Sequence, residues 1–73
     1  MARDNQLDIR AEVVALLMDK VVNDRYPSVT MLDMIELLMN PEERDGYAQM
    51  LMDKLNSSRY PSIPMMRRLL ALG

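Results

Sequence analysis

The chain has no cysteine, histidine, tryptophan or phenylalanine. Without cysteine it has no disulfide, no thiolate metal site and no thiol nucleophile. Without histidine it lacks the commonest general base and the commonest metal ligand. Glycine is almost as scarce. Apart from the terminal Gly73 there is only Gly46, so no glycine-rich loop is present to cradle a phosphate. Long apolar runs are missing too. The longest, Val13 to Met18, lies between Glu12 and Asp19 and is far short of the roughly 20 residues needed to cross a bilayer. Met1-Ala2-Arg3-Asp4-Asn5-Gln6 carries no apolar block of the signal-peptide kind. These features set the expectation of a cytoplasmic protein with no transmembrane segment.

What is present is leucine and methionine. The 73 residues include nine Met and are 49% hydrophobic, with a formal net charge of −2. A chain of this size forms one small domain, and its own core rarely supplies more than about 3–5 kcal/mol. With no covalent or His/Cys metal clip available, stability has to come from helix packing or from a partner. Residues 1–39 carry four basic and seven acidic groups, and residues 40–73 carry five basic and four acidic groups. Unlike halves allow head-to-tail association, but this is not the dense basic footprint of a nucleic-acid binder.

The chain also repeats itself at a period of 34. Leu16-Leu17-Met18-Asp19-Lys20 aligns with Met50-Leu51-Met52-Asp53-Lys54, and Arg25-Tyr26-Pro27-Ser28 with Arg59-Tyr60-Pro61-Ser62. Met31 aligns with Met65 and Leu38 with Leu72; over 16–38 against 50–72, ten of 23 positions are identical without a gap. Arg10 and Arg44 also fall 34 apart. The tetratricopeptide repeat has the same period, but its aromatic and Leu-Gly signature is absent. Any two helices with two turns give a similar length, so the period alone assigns no family.

Each unit reads as helix, corner, helix. Asp4, Asn5 and Asp8 supply capping and negative charge for a first helix starting near Asn5 or Gln6. Val14, Leu17, Met18 and Val21 recur on one face, which Val13 and Leu16 widen, while Asp8, Glu12, Asp19 and Lys20 lie largely opposite. Pro27 ends the helix near Asn23 or Asp24. Ser28 then caps a second helix with Met31, Leu32, Ile35, Leu38 and Met39 apolar and Asp33 and Glu36 toward solvent. Asn40-Pro41-Glu42-Glu43 is a strong start signal for a third helix reaching Asn56 or Ser57. Its buried face is expected to be Tyr47, Ala48, Leu51, Met52 and Leu55. Gly46, costly inside a helix, points to a close helix crossing. Pro64, tolerated only in a first turn, starts the fourth helix close to Ser62, and it runs to about Leu72. The expected fold is all-α: two tandem hairpins, 5–39 and 40–73, packed as one compact helical domain.

No constellation suggests catalysis. The Asp and Glu residues sit in first turns or on solvated faces, and Ser28 and Ser62 have no histidine to activate them. Asp33 with Glu36, or Glu42, Glu43 and Asp45, lack the spacing and glycine of a calcium loop. No cofactor or metal is expected. The corner residues Arg25, Tyr26, Arg59 and Tyr60 have a complete structural explanation. The cation sits near a helix C-terminus, and the ring covers the bend. A paired docking surface is the functional alternative.

Helices two and four are apolar nearly all round, and a helix of that kind has to be buried all round. Two such helices cannot both be central in so small a monomer. The expected function is therefore a non-catalytic protein–protein interaction or assembly module, a homodimer or a subunit of a larger complex, that meets a second copy or another helical protein through Met31, Met34, Leu38, Met65, Met66, Leu69 and Leu70. Arg67 and Arg68 are candidates to pair with Asp33 and Glu36, within the chain or across a dimer. The alternative is a small nucleic-acid-binding regulator using Arg59, Arg67 and Arg68, opposed by the acidic net charge. A short basic end, Met65 to Leu72, is also compatible with weak binding to a membrane surface.

Overall fold

The computed structural model describes residues 8–24, 27–58 and 62–73. Among them are helices α1 (Ile9–Asn23), α2 (Val29–Leu38), α3 (Pro41–Ser57) and α4 (Ile63–Leu72), and no strand. The protein is all-α. Three pairs of helix limits, Asn23 and Ser57, Val29 and Ile63, Leu38 and Leu72, are each 34 residues apart.

Every helix begins on a side-chain cap, because its first N–H groups have no partner within the helix. Asp8 is extended and accepts from the Ala11 N–H at 3.2 Å. The expected start near Asn5 or Gln6 is corrected accordingly: α1 begins at Ile9. Asp8 is its cap rather than a residue of its solvated face, since its carboxylate takes the third N–H of the helix. Ser28 accepts from Met31 N–H at 3.4 Å and Ser62 from Met65 N–H at 3.3 Å. Pro64 sits in the first turn of α4, where a missing N–H costs nothing. At α3 the cap is reciprocal. Asn40 Oδ1 accepts from Glu43 N–H at 2.8 Å, and Glu43 Oε1 accepts from Asn40 N–H at 2.9 Å.

The chain forms two compact units, one through Met39 and one from Asn40. In the first, α1 packs on α2, and Val14, Val21, Leu32 and Ile35 are buried. Arg10 Nη1 donates to the Leu38 carbonyl at 2.9 Å, which satisfies one of the carbonyls orphaned at the end of α2. The bond ties the start of α1 to the end of α2, so the two helices run antiparallel. Asp8 also meets Arg10, at 3.5 Å; being exposed, that ion pair adds little. In the second unit α3 packs on α4, and the buried residues Tyr47, Met50 and Leu51 all come from α3.

Several expected faces are corrected. Leu16 is 62% exposed and Met52 47% exposed, because each residue advances about 100° around a helix. Leu16 follows Val14 by two residues and so points nearly opposite. Met52 is displaced in the same way from Met50, which is buried. Glu36 is half-buried rather than turned to solvent, and Gly46 is exposed and so marks no close crossing.

Two substitutions test the helix-level account. Asn40→Ala removes the reciprocal cap and is expected to cost about 1 kcal/mol in urea denaturation. Gly46 is helical, exposed and without a positive φ. Gly46→Ala is therefore expected to stabilise by up to about 1 kcal/mol, seen as a raised Tm.

Candidate partner-binding surface

The inward face of α2 is fixed by Leu32 and Ile35. At 100° per residue, Thr30, Asp33, Met34 and Leu37 fall on the opposite side, and all four are exposed. Leu37 is 81% exposed, and Val29, beside this row, is exposed as well. In α4 no residue is fully buried. Met65, Arg68, Leu69 and Leu72 are half-buried and mark its inner side, whereas Ile63, Met66, Arg67 and Leu70 are exposed on the outer one. Leu70 is 79% exposed.

The seven residues expected to meet a partner divide accordingly. Met34, Met66 and Leu70 are exposed, and Met31, Leu38, Met65 and Leu69 are half-buried, lying on or beside the inner sides of their helices. Sequence reasoning missed Leu37, Val29 and Ile63. The signal for Leu37 was its two-residue offset from Ile35, which places it about 200° away. That signal is readable only once the inner face is known. Arg67 and Asp33 are exposed, and Arg68 and Glu36 are half-buried. The corner residues Arg25, Tyr26, Arg59 and Tyr60 lie outside the described residues.

Each of the two outer faces, taken by itself, carries exposed apolar area with a charge beside it. Covering a leucine side chain is worth roughly 2 kcal/mol, whereas an exposed ion pair contributes about 0–1 kcal/mol. In either helix the exposed leucine, Leu37 or Leu70, therefore offers more to any association than the charge beside it, Asp33 or Arg67. Among the described residues no group of three His, Cys, Asp or Glu is placed to hold a metal ion, and no helix is long and apolar enough to cross a membrane. No family model, no curated protein and no solved structure matches this chain.

The division between core and surface has a direct test. Leu37→Glu is expected to change stability by no more than about 0.5 kcal/mol, as a substitution away from the core does. Ile35→Glu, which puts a carboxylate into the packed face, is expected to unfold the α1–α2 unit. Circular dichroism of the two variants during thermal melting distinguishes them.

Proposed function

We propose that this protein is a non-catalytic interaction or assembly module that engages another protein through the outer faces of α2 and α4. The observation that carries this reading is that Leu37 and Leu70, large aliphatic residues in the last turns of short helices, are about four-fifths exposed. Exposed apolar residues grouped on one helix face, with polar groups beside them, are the surface pattern of a docking site. Methionine suits the role because its unbranched side chain adapts to the shape of whatever covers it; Met34 and Met66 flank the two leucines. A ten-residue helix is marginal in water by itself, so α4, with no fully buried residue, gains stability from any partner that covers it.

The test compares wild type with the Leu37→Glu/Leu70→Glu double variant, each immobilised and exposed to extract of the native source. Both are expected to keep the same helical circular dichroism. Wild type is expected to retain proteins, its own untagged copy included, that the double variant does not. Identical retained sets would overturn the reading, as would tight binding to duplex DNA with a steep salt dependence.

A further inference from the structure

We infer that the partner is a second copy of this chain, with α2 of one copy seated against α4 of the other and Asp33 meeting Arg67 across the contact. This rests on the reading of the two outer faces as docking surfaces and adds the identity and register of the occupant. The two helices have ten residues each, and Asp33 and Arg67 are the fifth residue of their respective helices. They occupy the same position in the 34-residue repeat and carry opposite charges. Both are exposed. Around Asp33 stand the exposed Val29, Met34 and Leu37; around Arg67 stand the exposed Ile63, Met66 and Leu70. Each face is therefore an apolar patch with one charge halfway along the helix, Asp33 between Val29 and Leu37 and Arg67 at the edge of Ile63, Leu70 and Met66, and the two patches differ in the sign of that charge.

Charge decides between the possible pairings. Pairing α2 with α2 sets Asp33 against Asp33, and pairing α4 with α4 sets Arg67 against Arg67. Like charges meeting in a desolvated contact are penalised, whereas opposite charges fix register. Only α2 against α4 joins unlike charges. In an antiparallel arrangement the fifth residue of one ten-residue helix faces the sixth of the other, so Asp33 and Arg67 are offset by one helical rise, about 1.5 Å. That offset lies within the reach of an arginine side chain. A carboxylate has several acceptor sites, so Asp33 accepts Arg67 alongside another donor. Because each copy has both faces, a twofold pair makes the contact twice, and a rotation that does not close makes an open series.

The experiment uses the purified full chain and light scattering over a concentration series. Wild type is expected to exceed the mass of one chain as concentration rises. Asp33→Lys alone and Arg67→Glu alone should each weaken association about tenfold or more, since both contacts of a pair then join like charges. An equimolar mixture of the two single variants should recover the wild-type mass, because each contact in a mixed pair again joins opposite charges. Circular dichroism confirms that each variant is folded. The inference is overturned if wild type keeps the mass of one chain at every concentration, if the single variants associate as well as wild type, or if the mixture does not recover. If it is overturned while retention from extract still depends on Leu37 and Leu70, the docking reading survives with a different protein as partner. If that retention is lost too, both readings fall.

Discussion

A short helix in a two-helix hairpin has one neighbour, and hence one face to bury. The helix α2 meets this limit by committing Leu32 and Ile35 to α1. The same stretch also contains Val29, Met34 and Leu37, which the hairpin leaves uncovered. The helix α4 is constrained more severely: against α3 it half-buries Met65, Leu69 and Leu72 and buries nothing fully. Here the apolar composition exceeds what a pair of helices can enclose, and the excess appears as specific exposed side chains at specific angles.

Local chemistry specifies where the helices begin. Asp8, Ser28, Asn40 and Ser62 each take an N–H from the third residue of the helix that follows. Capping of this kind requires only a small polar side chain at the correct offset, which is why it can be read from a string of letters. Asn40-Pro41-Glu42-Glu43 and the Ser62/Pro64 pair were legible for that reason. The start of α1 was misplaced because Asp4, Asn5 and Asp8 all qualify chemically as caps, and composition does not rank them. The bond from Arg10 to the Leu38 carbonyl was not legible at all. It joins residues that only the antiparallel packing of α1 on α2 brings together.

The candidate surface was legible in kind but not in detail. That α2 and α4 carry more apolar residues than one face can use follows from composition and helical period. Which of those residues turn outward depends on the angle at which each helix meets its neighbour, and this is a tertiary property. Leu16 and Met50 occupy equivalent repeat positions, yet Leu16 is exposed and Met50 buried. The two long helices thus present different faces despite related sequences, and no single-helix pattern distinguishes them. Met31, Leu38, Met65 and Leu69, expected at a partner contact, are half-buried on or beside the inner sides of their helices.

The pattern of match and mismatch between the repeats follows this geometry. Within α2 and α4 the identical positions are Met31 with Met65 and Leu38 with Leu72, and all four are half-buried. Leu32 and Met66, and Ile35 and Leu69, exchange one apolar residue for another. Size or chemistry changes at Thr30 and Pro64, Asp33 and Arg67, Met34 and Arg68, Glu36 and Leu70, and Leu37 and Ala71. Of these ten residues only Arg68 and Glu36 are half-buried; the other eight are exposed. Inner positions must fit a similar packed neighbour, so their alternatives are few. Outer positions have no such demand within a hairpin, and they are where the two units acquire opposite charge and different shape. Divergence at residues 33 and 67 gives the two outer faces opposite charge, while Met31, Leu38, Met65 and Leu72 keep the matched inner positions apolar.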